Sequence, residues 1–191
     1  MRKNRLMVIC DTPEFRAVAY TAPEGESLCA GETDARKREL LREVLSADDE
    51  DVEIGHTPDG APRLTGKFSS MTVSVSHSRR TLMIAVSKNG GRLGIDTETP
   101  DRVEQLKRIA CRFIGDGQEM WGEEHRLLRA WTIKEALYKA AGIAGWALRA
   151  IPLPADGELP AIVETPCGQF RLIAAELPEE AGAATIAIEL R

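Results

Sequence analysis

The chain has 191 residues, 43% of them hydrophobic and 29% charged, and a formal net charge of -5. These fractions are ordinary for a globular protein with a sizeable core, and the length suits one domain or two small packed halves. The acidic balance argues against a dedicated nucleic-acid binder, although "RVEQLKRIACR" (Arg102 to Arg112) is a local basic patch.

The basic start "MRKNR" is followed by only five apolar residues before Asp11, fewer than the roughly 7 to 15 of a secretory h-region. No stretch approaches the ~20 apolar residues of a membrane span, so a cytoplasmic protein with no membrane partner is expected. Four cysteines (Cys10, Cys29, Cys111, Cys167) stand far apart without a CxxC pair. Zinc is not expected, and free thiols in a reducing compartment are.

Residues 6–10 and 15–20 are predicted strands separated by "DTPE". "ETDARKRELLREVLS" predicts a helix capped by Thr33 or Asp34, with Leu40, Leu41, Val44 and Leu45 at helical spacing. "TPDGAPRLTG" (Thr57 to Gly66) is predicted as a loop. "MTVSVSHS" alternates, with Met71, Val73 and Val75 on one face, and predicts a strand. "TLMIAVSK" is a second strand, and "NGG" predicts a hairpin from it into "RLGIDTE". Helices are expected over 101–115 and 123–141, and strands in "AIPLP", "AIVETP", "QFRLIAAEL" and "ATIAIEL". Helices and hairpins occur in both halves, so the fold class is α+β.

Within "WTIKEALYKA" (Trp131 to Ala140), at about 3.6 residues per turn, Trp131, Tyr138 and Ala141 share a face with Ala130, Ile133, Leu137 and Ala140 beside it. Lys134 falls inside that apolar arc, while Glu135 and Lys139 share its flank. In "GIDTE", strand alternation holds Asp96 and Glu98 on one face. A solvated strand face is the simplest reading of that pair. If the face is enclosed, the acids need a cation, and oxygen-only ligands favour Mg²⁺ or Mn²⁺ over zinc. Glu135 is the natural third carboxylate. Its pairing with Lys139 reads either as a surface salt bridge worth about 0.3 kcal/mol or as part of a diphosphate site, where the amine neutralises charge that the metal does not reach. His77, between Ser76 and Ser78, is a structural residue or a phosphate ligand. No GxSxG elbow, P-loop or Rossmann glycine fingerprint accompanies it.

"SVSHS", "GIDTE" and "WTIKEALYKA" in this order resemble the three signature blocks of the 4'-phosphopantetheinyl transferase superfamily, in which GxDxE precedes WxxKExxxK. "RELLREVL" resembles the arginine-bearing helix of its longer, surfactin-synthetase-activating (Sfp-type) branch, and "DGAPRL" resembles its G-K-P loop. The resemblance covers roughly residues 36 to 155. It implies two similar α+β halves, 1–91 and 92–191, related by a pseudo-twofold axis in a monomer, with coenzyme A in the cleft between them. It also implies an Mg²⁺ site of Asp96, Glu98 and Glu135. Lys139 would hold the coenzyme A diphosphate, with Lys134 supporting it or the metal-binding glutamate. Arg38 and His77 would hold the 3'-phosphate, Ser76 would also bind coenzyme A, and Gly60, Ala61, Pro62 and Arg63 would line the adenine. Trp131 is then a packing residue. Ala61 stands where the family has a lysine, so one cationic contact is missing unless Arg63 replaces it.

The implied reaction moves phosphopantetheine from coenzyme A to a serine of an apo carrier protein and releases 3',5'-ADP. The catalytic residues would be Asp96, Glu135 and Lys139, with Glu135 the candidate base, acting directly or through a water. The stretch Arg102 to Phe113 is the candidate carrier-docking helix, or else an ordinary amphipathic helix with solvated arginines. Two other readings are a Mg²⁺-dependent hydrolase of coenzyme A or nucleotides, and a non-catalytic scaffold that binds coenzyme A or a carrier.

Overall fold

A computed structural model of the chain describes residues 6–28, 30–47, 52–178 and 181–191. Cys29 lies outside the described residues, and the other cysteines are free thiols. The fold is α+β, with two four-stranded antiparallel sheets and one two-stranded sheet.

The first sheet has the order β1-β2-β6-β5. β1 (Leu6–Asp11) and β2 (Phe15–Thr21) form a hairpin, in which Thr12 Oγ1 accepts the Phe15 N–H at 3.1 Å. β5 (Thr72–His77) and β6 (Thr81–Ser87) form the second. α1 (Ala30–Leu45) starts before the expected Thr33 or Asp34 cap, and Thr33 lies within the helix. The predicted loop 57–66 is mostly the turn between β3 (Ile54–His56) and β4 (Pro62–Leu64), which make the small sheet.

The expected hairpin across Asn89–Gly91 does not form. β6 is already paired on both edges, by β2 and β5, so the next strand has no free edge to join. Gly90 takes a positive φ of 72°, and Asn89 Oδ1 accepts the Gly91 N–H at 2.9 Å. The chain is thereby sent into a second sheet, where β7 (Leu93–Glu98) pairs with β10 (Ala183–Glu189). That sheet has the order β7-β10-β9-β8, with β8 at Ile162–Thr165 and β9 at Gly168–Ala175. "AIPLP" (residues 150–154) begins at the end of a short 3-10 turn, Leu148–Ala150, and forms no strand. Pro152 and Pro154 lack the N–H that a ladder requires.

Alternation along the strands builds the layers. Val18, Leu82, Ile84 and Val86 face Leu40, Leu41 and Val44 of α1. The opposite face of the same sheet presents Phe15, Ala17, Ala19, Met83 and Ala85 to Leu93, Ile95, Ala184, Ile186 and Ile188 of the second sheet. Beyond that sheet, Phe170, Leu172 and Ala187 pack on Ile133, Ala136, Leu137 and Ala140 of α3 (Glu124–Ala141). The order is thus helix, sheet, sheet, helix. The shorter α2 (Val103–Ile109) contributes Leu106 to the third core. Both parts of the chain run strand, helix, hairpin (β2, α1, β5–β6 and β7, α3, β9–β10), with the last strand returning between the others. Among the described residues no helix is long and apolar enough to cross a membrane.

Candidate functional site

β7, the edge strand of the second sheet, lies between the first sheet and α3, and its side chains divide accordingly. Leu93 and Ile95 enter the core between the sheets, so Gly94, Asp96 and Glu98 share the other face. A Cβ on Gly94 would sit 2.0 Å from the Ala136 carbonyl oxygen and 2.5 Å from the Ala140 nitrogen. Only glycine lets α3 come this close, and the close approach puts Lys139 within reach of the strand. Its ammonium donates to Asp96 Oδ1 at 2.7 Å and to the Ile95 carbonyl at 3.1 Å.

The acidic face is enclosed: Asp96 is 6% exposed and Glu98 8%. Asp96 Oδ1 also accepts from the Ser76 hydroxyl at 2.9 Å, and Asp96 Oδ2 is buried with no hydrogen-bond partner among the described residues. Burial pushes the Asp96 carboxyl above the usual range, opposed by Lys139, Ser76 and the Thr97 N–H. Glu98 is also raised by burial, with Asp96 and Asp101 adding to it and Arg102, 3.5 Å away, opposing it. Glu135, half-buried, is raised by burial and by the charge of Asp96, against Lys139. The electrostatics of the three acids are therefore linked through Asp96.

Their gathering differs from the expected triad. Among the described residues no three His, Cys, Asp or Glu side chains are collected into a group that could hold a metal ion. Asp96 Oδ1 is turned to Lys139 and Ser76, and Glu98 is turned to Arg102 and to the Thr99 N–H at 3.3 Å. The donor set still fits a hard divalent cation in chemistry. It is all carboxylate oxygen, one buried oxygen has no partner, and the acids are held up by burial and by one another.

Lys134 bonds to the protein's own oxygens. It is 0% exposed, and its ammonium donates to Gln118 Oε1 at 2.8 Å and to the carbonyls of Leu148 at 3.0 Å and Ile151 at 2.6 Å. Burial, and then the charge of Arg149, lower its pKa to about 7. The oddity of an amine in the apolar arc is thus an internal tie between α3 and the loops at 115–118 and 148–151. Trp131 packs as expected, edge-on to Phe113 with ring centroids 5.1 Å apart.

A cleft of about 500 Å³ opens beside Lys139, with Gly60, Ala61 and Pro62 on one wall and Arg92, Tyr138 and Ile143 also lining it. Arg63 is not in the lining. It is exposed on β4, with its Nε 3.6 Å from where a Cβ on Gly55 would stand. Arg92 is the cation that joins Lys139 in the cleft. Arg38 is exposed on α1 and lines a separate hollow of about 690 Å³ with Lys37 and Arg42. His77 is exposed at the end of β5, opposite in alternation to buried Ser76, so Ser76 meets Asp96 while His77 does not share that contact. Arg108 and Arg112 are exposed on the candidate docking stretch, whose α-helical part is the shorter Val103–Ile109.

Sequence reasoning missed Gly94 as the contact point of α3, Ser76 as the partner of Asp96, and Arg92 as a cleft cation. The glycine of "GIDTE" and the serine alternation in "SVSHS" were the available signals. Comparison with known protein families and with curated proteins finds no match for this chain.

Proposed function

We propose that the protein transfers the 4'-phosphopantetheine group of coenzyme A to a serine hydroxyl of an apo acyl or peptidyl carrier protein and releases 3',5'-ADP. The observation that carries this reading is the junction of Lys139, anchored on buried Asp96, with the cleft lined by Gly60, Ala61 and Pro62. An ammonium beside enclosed acids and a glycine-containing loop suit a ligand that joins a diphosphate to a nucleoside.

Asp96, Glu98 and Glu135 would hold a Mg²⁺ or Mn²⁺ ion, which when bound would neutralise diphosphate charge. Lys139 faces the same anion and stabilises the charge that grows on the leaving phosphate. The carrier serine oxygen forms a bond to the pantetheine phosphorus as the bond from that phosphorus to the bridging diphosphate oxygen breaks. The serine proton goes to Glu135, directly or through a water. Arg92 supplies the cationic contact that Ala61 lacks, in place of Arg63. The repeated strand, helix, hairpin order supports two related halves, residues 1–91 and 92–191, about a pseudo-twofold axis in a monomeric enzyme.

The test is intact-mass analysis of a panel of apo carriers after incubation with coenzyme A and Mg²⁺. The expected result is a mass gain of one phosphopantetheine and release of 3',5'-ADP only when a carrier is present. Release of nucleotide without a carrier identifies a hydrolase instead. Binding of coenzyme A with neither product identifies a scaffold.

A further inference from the structure

We propose that Ser76 is a positioning residue that fixes which oxygen of Asp96 is left for the divalent ion, an inference that rests on the transferase reading above. Ser76 lies at the seam between the two sheets. In an antiparallel pair, alternate residues bond to the partner strand and the others turn their N–H groups outward. On β7 the outward donors are Ile95 and Thr97, and serines of β5 receive them. Ile95 N–H donates to Ser74 Oγ at 3.1 Å, and Thr97 N–H donates to Ser76 Oγ at 3.2 Å. The edge of β7 is thus satisfied by hydroxyls instead of by a backbone ladder.

A hydroxyl has one hydrogen to give. Ser76 accepts from Thr97, and its hydrogen goes to Asp96 Oδ1 at 2.9 Å. Lys139 can only donate, and it donates to that same Oδ1 at 2.7 Å. Both donors converge on one oxygen, and Oδ2, buried and without a partner among the described residues, remains. The carboxyl cannot rotate freely without breaking the Ser76 bond. The outer partner of a ligand sets its orientation, and loss of such a partner typically costs 10–100-fold in metal affinity.

The seam contains its own control. Ser74 makes the same contact to β7 two residues earlier, but the residue in the place of Asp96 there is Gly94, which has no side chain to orient. Removal of either hydroxyl leaves one outward N–H of β7 without its acceptor. Only the loss of Ser76 also takes a bond from a carboxylate, leaving Asp96 Oδ1 to Lys139.

The experiment compares Ser74→Ala, Ser76→Ala and Ser76→Cys with the unmodified chain. Mn²⁺ binding is followed by electron paramagnetic resonance, with and without coenzyme A, and thermal unfolding is measured without metal. Ser76→Cys nearly preserves the volume and supplies a folded variant if the alanine is too unstable. The melting temperature should fall for both Ser74→Ala and Ser76→Ala, and further for Ser76→Ala, which also loses the bond to the buried Asp96 carboxylate. Mn²⁺ affinity should fall tenfold or more for both Ser76 variants and stay within about threefold for Ser74→Ala. Mn²⁺ affinities of Ser76 and Ser74 variants within about threefold of each other would overturn the assignment while the metal site stands. Absence of Mn²⁺ binding by the unmodified chain, with and without coenzyme A, would overturn the metal site and this inference together.

Discussion

Lys134 and Lys139 belong to one helix and to one sequence block, yet their surroundings give them opposite tasks. Lys139 is partly exposed at the cleft and paired with an acid. Lys134 is enclosed and ties three neutral oxygens together. Lys134→Met should therefore lower stability by about 2–3 kcal/mol, because buried acceptors are left without their donor, with the KM for coenzyme A unchanged. Denaturant unfolding and steady-state kinetics check the two halves of that statement. The pH dependence adds a signature. The Lys134 pKa is about 7 in the folded chain against an ordinary 10.5, so between those values the unfolded chain binds the extra proton. Lys134 thus makes stability rise with pH across this window, and below it the contribution is constant. The methionine variant should lose that slope. Arg92 and Arg63 make a second contrast. Arg92→Ala should raise the KM for coenzyme A about tenfold, by loss of a charged contact to a phosphate, and Arg63→Ala should leave it near the unmodified value.

The elements show why some of the architecture was readable and some was not. The strands at 6–10 and 15–20, and the long helix ending at Ala141, were legible because their patterns are local. The partner of β7 was not. "NGG" carries a local hairpin signal, but whether a hairpin forms depends on whether β6 has a free edge, and β2 has already taken it. The true partner, β10, is near the end of the chain. The contact made by the serines of β5 was not legible for a related reason. Polar alternation usually marks a solvated face, and here that face meets the backbone of another sheet. Gly94 connects element to site. In Gly94→Ala the new methyl would meet backbone atoms of α3 at 2.0 and 2.5 Å, so the helix must lift from the strand. The expected outcome is a loss of about 3 kcal/mol or more, as for a severe overpacking. In the folded fraction the kcat should fall well beyond what instability explains, since Lys139 would be drawn away from Asp96. Unfolding curves and active-fraction-corrected kinetics separate the two effects. Activity unchanged per folded molecule would show that the helix–strand spacing does not set the site.

For the molecule as a whole, the site sits where the layers meet. Asp96 is held by a residue from each side of that meeting, Ser76 from the first sheet and Lys139 from α3. The sequence blocks named Asp96, Glu98, Glu135 and Lys139, but no local pattern states that they will be buried against a serine-bearing strand of another sheet. Such crowding of acids opposes folding. Each of the three acids has a folded pKa above its ordinary value, so the folded chain binds more protons than the unfolded one between the ordinary carboxyl range and the raised values. Stability from these groups is therefore gained as pH falls through the raised values and is lacking above them. A divalent ion should relieve the same strain at neutral pH by favouring the charged forms. Glu135→Gln removes one member of the cluster and keeps its shape. It should stabilise the metal-free chain by about 1 kcal/mol, the usual gain when a functional conflict is removed, and it should reduce the gain on acidification. It should also abolish transfer to a carrier. Thermal unfolding of the two chains from mildly acidic to neutral pH, with and without Mg²⁺, reads all of this. A glutamine variant less stable than the unmodified chain at neutral pH would mean that attraction to Lys139 outweighs burial and the repulsion from Asp96, so that Glu135 favours the fold instead of opposing it.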